Sequence, residues 1–327
     1  MYAHHTIARA TTLLLLAAVA LTSTATGAAD EPFENAQSSA KVSGYALDRV
    51  YQWLHEVALK KIDKETGLYR ADGNWNYRDT AADCYPFLGW AAHVVDEAVL
   101  NGPVRDVLHR EAALCNVVER MPVPWDFAAG APQRDLPWDK MVFEASEYVK
   151  DGLIAMVEIT GRDEWFDRMR AIVDDLWKTA RVETPFGRIT TTNFEINGDH
   201  LQVLPRLYAM TGEEKYLDWA DRLVDYYFSD EDFVVTRLRD HGCEVIGGFG
   251  LLYAVETTAR PARATALEPK LRRLYDTILA RGCNADGMMY DELDQKAGRL
   301  SDGWGYNYVG YLCVDMATGT ESYRPKV

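Results

Sequence analysis

Five apolar stretches of the chain are each headed by an acidic residue, with a second acid or a tyrosine four positions later. The pairs are Asp79 and Asp83, Glu144 and Tyr148, Glu195 and Asp199, Asp240 and Glu244, and Asp302 and Tyr306. On a helix this spacing puts both members on one face, one turn apart. Carboxyl groups crowded together push their pKa values apart, so one residue type can supply both a proton donor and a base or nucleophile. Cleavage of a glycosidic bond needs that division of labour, with carboxyl separations of roughly 5 to 5.5 Å for retention and roughly 6.5 to 9.5 Å for inversion. The simpler reading is capping. Acids are favoured in a helix's first turn, and Thr192 to Glu195 and Thr80 to Asp83 fit a capping box. Capping would serve the alternate helices equally well, yet those begin at Asn101-Gly102, Gly161 and Gly212 without matching pairs.

Aromatic and amide groups cluster near the acids. Trp75 and Tyr77, then Trp125, Phe127 and Trp138, then Phe194 and Asn197, and finally Trp304, Tyr306, Asn307 and Tyr308 all fall in or beside the same connecting segments. Sugar sites use this mixture, with aromatic faces on the apolar faces of rings and carboxylates or amides on the hydroxyls; packing of the loops themselves is the alternative for about half of these aromatics. The candidate catalytic residues are Asp83, Asp199, Asp240 and Glu244. The candidate substrate-binding residues are Trp75, Tyr77, Asp79, Trp138, Glu195, Asn197, His200, His241, Asp302, Trp304, Tyr306 and Asn307. No spacing demands a metal or another cofactor, although Asp199-His200 and Asp240-His241 could hold an ion if their helices face each other.

The elements that must position these groups are marked by a recurring phrase. Thr160-Gly161 precedes Trp165, Thr211-Gly212 precedes Tyr216, and Thr318-Gly319 precedes Tyr323, each between two apolar helical stretches, so the repeating unit is a helical hairpin. Apolar periodicity predicts helices over about 45–61, 81–99, 104–119, 144–159, 162–179, 196–210, 213–228, 242–257, 266–281 and 304–317, with period-two alternation almost absent. One set is amphipathic, as in Phe166, Met169, Ile172, Val173 and Leu176, and reads as an outer layer. The alternate set carries few charges and many small residues and reads as an inner, buried ring. Outer-to-inner joins are long and inner-to-outer joins short, which gathers the long loops over the N-termini of the inner helices, where sites usually lie. Counting back from the Thr-Gly phrases puts Asp199, Tyr148 and Tyr306 in one slot of the ring, and matching Tyr253 to Tyr208 in the fourth inner stretch, whose turn is degenerate, adds Glu244.

The bulk properties set the context. His4, His5 and Arg9, the apolar run from Leu13 to Leu21, and small residues up to Ala29 have the layout of a secretory signal peptide over residues 1–29. A secreted or periplasmic protein is expected, with no membrane contact after cleavage. A linker over 30–44 and one helical domain over 45–327 follow. The formal charge of −15 argues against nonspecific nucleic-acid binding, which rests on Lys and Arg neutralising phosphates. Of the five cysteines, Cys84 with Cys115 and Cys243 with Cys283 are candidate disulfides at neighbouring hairpin ends; buried, unpaired thiols are the alternative, and Cys313 is left over.

With its alternating helices, long loops over the inner N-termini and acid-aromatic helix starts, the chain from Tyr45 to Val327 resembles the six-hairpin (α/α)6-barrel glycosidases, the unsaturated glucuronyl hydrolase type among them. The resemblance is one of architecture, and it implies an all-α (α/α)6 toroid with catalytic Asp or Glu near the inner-helix starts. A closed barrel needs twelve helices and this chain stops in the eleventh, so the expected barrel is incomplete at its C-terminus, to be completed by further C-terminal sequence or by a partner. The expected function is a carbohydrate-active enzyme, a glycoside hydrolase on an oligo- or polysaccharide. Three rivals remain. A polysaccharide lyase would use Tyr306, His200 or His241 as base with Asn197, Arg78 or Arg239 neutralising a uronate. A sugar epimerase would pair His200 with His241, and a non-catalytic glycan-binding protein would use the ring as a surface.

Overall fold

The third outer helix, Glu164–Lys178, shows how the periodicity is spent: Trp165, Phe166, Met169, Ile172, Val173 and Leu176 are buried along one stripe, while Glu164 and Asp167 sit in its first turn. The computed structural model describes residues 32–70 and 73–327, and the expected signal peptide over 1–29 lies outside them. The chain alternates outer and inner helices throughout. The first outer helix, Pro32–Trp53, continues through a π turn, Leu54–Ala58, and a 3-10 turn, Leu59–Lys61. The first inner helix begins as a π segment, Tyr77–Ala82, and runs on as Asp83–Val95. The second outer helix is Glu97–Val99, a π segment Leu100–Val104, and Arg105–Cys115. The second inner helix is Trp138–Glu147, a π segment Tyr148–Leu153, and Ile154–Thr160. After Glu164–Lys178 come the third inner helix Phe194–Thr211, the fourth outer Glu214–Tyr227, the fourth inner Glu244–Ala259, the fifth outer Pro261–Gly282 and the fifth inner Trp304–Thr318.

Successive inner helices pack on one another in chain order, and each outer helix lies against an inner one. Among the described residues the strands are two short antiparallel hairpins, Asn116–Val118 with Met121–Pro122 and Trp125–Asp126 with Ala131–Pro132, both in the loop before the second inner helix. The expected linker over 30–44 is helical from Pro32 onward, a correction to the sequence reading. That helix buries none of its residues from Pro32 to Trp53, so it carries too little contact to have been read from burial periodicity.

The Thr-Gly phrase is a helix stop with two parts. Thr160, Thr211 and Thr318 each turn their hydroxyl back to the carbonyl four residues earlier, at 3.0, 2.7 and 2.8 Å. The glycine that follows takes positive φ, 82° at Gly161, 74° at Gly212 and 65° at Gly319, which any side chain would resist.

The third, fourth and fifth inner helices meet at backbone contact. A Cβ built on Gly250 would lie 2.2 Å from the carbonyl oxygen of Gly310, and one on Gly198 would lie 2.5 Å from both Cβ of Glu244 and the amide nitrogen of Val245. Small residues in the inner stretches are thus the condition for the ring to close up. Phe87, Trp90 and Val94 of the first inner helix and Val309 and Met316 of the fifth are exposed apolar side chains. Val50 and Trp53 of the first outer helix and Phe87, Trp90, Ala91 and Val94 of the first inner helix line an apolar groove of about 410 Å³. No helix of the described residues is long and apolar enough to cross a membrane. No disulfide joins Cys84 to Cys115 or Cys243 to Cys283. Cys84 Sγ is turned to the carbonyl of Asp79 at 3.4 Å, and Cys243 Sγ to Glu244 at 3.6 Å, so the hairpin ends do not present these sulfurs to each other.

Candidate active site

The N-terminal ends of the inner helices open onto a cavity of about 500 Å³ whose lining includes Asp83 from the first inner helix, Glu147, Lys150 and Asp151 from the second, Asp240, His241 and Glu244 at the fourth, and Tyr306 from the fifth. A second cavity, about 270 Å³, shares Arg78 with it and adds Asn74, Asn76, Asp79, Lys140 and Glu144. A third, about 500 Å³, shares His241 and adds Asn193, Phe194, Glu195 and Arg237. The three are linked through those two shared side chains into one polar cleft on the long-loop face.

Lys150 organises the centre. Its ammonium lies 2.9 Å from Asp151 and 3.9 Å from both Asp199 and Glu244, and it stands 5.1 Å over the ring of Tyr306. Burial works against its charge, but Asp199, Asp151 and Glu244 overcome that and raise its pKa, so Lys150 is a fixed cation. Asp83 is pushed up by burial and by the nearby charges of Asp79 and Asp151, which favours its protonated form. Glu147 is pushed up to about 10 by burial and then by Asp199 and Asp151. Asp199 is held well above the usual carboxylate range, chiefly by its complete burial, and neither of its oxygens accepts a hydrogen bond. Burial and crowding thus push Asp83, Glu147 and Asp199 in one direction, toward the protonated form, around the fixed charge of Lys150.

The residues singled out from sequence separate into those that meet at the cleft and those that do not. Asp83, Asp240, Glu244, His241 and Tyr306 line the central cavity, and Asp79 and Glu195 line the flanking ones. Asp199 lies in the ring but is wholly buried. His200 is in the core, its ring nitrogens near Ser146 at 3.0 Å and Thr190 at 3.4 Å, and burial lowers its pKa to about 3. Asn197 binds the carbonyl of Thr191 and the hydroxyl of Tyr227, and Asn307 binds the carbonyl of Leu238, so both amides brace long loops. Asp302 accepts from the backbone of Asp240 and from Arg299. Trp75 and Tyr77 are fully buried, Trp75 donating to the Tyr85 hydroxyl at 2.8 Å, and Trp138 lies 3.7 Å under the Arg181 guanidinium. The backbone of Trp304 opens the fifth inner helix.

The expected capping boxes are not formed. Asn193, not Thr192, caps the third inner helix by accepting from Ile196, and Thr80 sits inside a π segment capped by Asn76. Glu195 is thereby released to pair with His241. Sequence reasoning passed over Glu147, Lys150 and Asp151. The count back from Thr160 crosses the π segment Tyr148–Leu153, where one extra residue per turn shifts the register and moves Glu147 into the place given to Tyr148. Tyr148 instead points into the core, donating to Glu111 at 3.3 Å.

No protein-family model matches the chain, and no curated protein matches it. Among solved structures, one described as a sugar epimerase from a ruminal bacterium is similar with a TM-score of 0.54 and 14% identity, over 86% of this chain and 84% of that one. Another, a GH127 β-arabinofuranosidase, gives a TM-score of 0.49 and 13% identity over 83% of this chain, which spans 47% of that protein's length. At such identities the first likeness is one of fold. The chain has an all-α fold, a toroid of helical hairpins of the (α/α)6 kind.

Proposed function

We propose that this protein is a carbohydrate-processing enzyme, and within that class a glycoside hydrolase of the six-hairpin type in which Asp83 donates the proton and Glu244 serves as base or nucleophile. One observation carries the reading: both carboxyl groups line a single cavity, from the first and fourth inner helices, in unlike surroundings. Asp83 is biased toward its protonated form by burial and neighbouring acids. Glu244 lies 3.9 Å from the Lys150 ammonium. The linked cavities on either side suit a substrate of more than one sugar unit. The fold shared with a solved sugar epimerase is in keeping with sugar chemistry on this scaffold.

A lyase reading keeps one supporting feature, since Tyr306, Lys150 and Arg78 meet in the same cavity and could act as base and charge neutralisers. The epimerase reading loses its base pair, because His200 is buried away from the cavity that His241 lines. Incubation with a panel of glycans separates the outcomes. New reducing ends without the ultraviolet absorbance of an unsaturated uronate are expected for a hydrolase. That absorbance would instead assign a lyase, and binding without turnover a lectin.

A further inference from the structure

Glu147, Glu195 and His241 come from three separate elements and converge. Each offers one ligand atom, and these atoms lie within 4.8 Å of one another. Glu147 ends the regular part of the second inner helix, Glu195 stands in the first turn of the third, and His241 lies in the loop just before the fourth. The two glutamates are each only 8% exposed. Lys150, the buried cation nearby, is drawn to Asp151 at 2.9 Å and stands 3.9 Å from Asp199 and Glu244, so its single charge is shared among several carboxyl groups.

Two independent features point to an ion. His241 has one ring nitrogen on Glu195 and the other, Nε2, 2.8 Å from Asp240 Oδ2. A carboxylate that accepts from one imidazole nitrogen fixes the tautomer and leaves the other nitrogen's lone pair for a metal, which is the usual support of a metal-bound histidine. Asp199 is fully buried, neither of its oxygens accepts a hydrogen bond, and it bears electrostatically on both Glu147 and Glu195. Glu147, Glu195 and Asp199 are thus three carboxyl groups buried near one another, with the Lys150 ammonium 3.9 Å from Asp199, and further positive charge would be favoured among them.

We propose that Glu147, Glu195 and His241 bind a divalent transition-metal ion of the zinc type, with Asp240 orienting His241 and the remaining coordination position open to the central cavity. Three protein ligands with an open position follow the layout of zinc sites that act on substrates, here with two carboxylates and one imidazole. Glu147 and His241 both line that cavity, so the open position faces whatever binds there. The site is distinct from the Asp83 and Glu244 pair, and the claim stands or falls without turnover.

The test uses the full chain, stripped with a chelator and titrated with ZnCl2 by calorimetry in the absence of any glycan. One ion per chain and a raised Tm are expected. Glu195→Gln and His241→Gln should each abolish stoichiometric binding, and Asp240→Asn, at an exposed position that leaves the fold intact, should weaken it roughly 10- to 100-fold. Co2+ in place of Zn2+ should give a visible absorption band that His241→Gln removes. No saturable binding by the wild type, or binding unchanged in both His241→Gln and Asp240→Asn, would overturn the proposal. A variant with wild-type zinc affinity but no turnover after Asp83→Asn leaves the metal site standing, and a zinc-binding chain inert to every glycan would sink only the hydrolase reading.

Discussion

At the scale of single residues, the hydrolase reading assigns the two carboxyl groups unequal tasks, and their replacement should separate chemistry from stability. Asp83→Asn is expected to lower kcat by about 10²- to 10⁴-fold with little change in Tm, the range found when a positioned acid is removed. Wild-type turnover in that variant would return Asp83 to the status of a helix-start acid. Because burial and the neighbouring acids raise the Asp83 pKa, the proton donor survives to higher pH than an ordinary aspartic acid would, and kcat/KM should fall as pH climbs through that raised value. The descending limb should vanish in Asp83→Asn. A different residue pair measures what burial of charge costs. Arg168 donates to Glu111 and to Asn116 between the second and third outer helices, and Glu111 is fully buried. Arg168→Met strands that carboxylate, and chemical denaturation should show a loss of about 3–5 kcal/mol. The simultaneous change of Glu111 to leucine should recover part of it.

At the scale of elements, most of the helices were legible because their apolar stripes recur three and four residues apart, and the Thr-Gly stops carry their own hydrogen-bond logic at Thr160, Thr211 and Thr318. The site was legible only where the helices stay regular. Glu244 and Tyr306 were found by counting, whereas Glu147 was missed because the π segment Tyr148–Leu153 breaks the count, and no residue pattern announces such a segment. Asn197 and Asn307 were misplaced for another reason: which loop carbonyl an amide braces depends on tertiary contacts that a single sequence does not encode locally. Two predictions belong here. Gly250→Ala puts a methyl group against the Gly310 carbonyl, and the helices must separate, at a cost of about 1–3 kcal/mol read as a lower Tm. On the same fourth inner helix, Glu256 is fully buried beside Asp221, and burial followed by its interaction with that carboxyl group pushes its pKa up to about 9. The folded chain therefore holds this proton from the ordinary value of 4.5 up to about 9 while the unfolded chain has lost it. Stability must fall as pH rises across that window, by up to about 1.4 kcal/mol per unit for one group. Glu256→Gln should match the wild type near pH 4.5 and exceed its Tm by a margin that widens toward pH 9.

At the scale of the whole molecule, the polar cleft and the apolar groove touch. Phe87 lines both the central cavity and the groove that runs past Trp90 and Val94. Exposed apolar surface of this kind marks a place where something else is bound. Under the hydrolase reading, the bond to be cleaved sits at the carboxyl groups and the groove begins beside it, at Phe87. A glycoside whose leaving group is a hydrocarbon chain should then bind more tightly than its methyl counterpart, with a lower KM at similar kcat. Trp90→Ala should erase the difference while leaving hydrolysis of the methyl glycoside unchanged, and equal KM values for the two in the wild type would remove the groove from substrate recognition. The consequence reaches past affinity: an apolar wall that starts at the rim of an acidic cleft lets the two halves of a substrate differ in kind, sugar on one side and aglycone on the other, so Phe87 and the groove behind it would govern what the sugar is attached to.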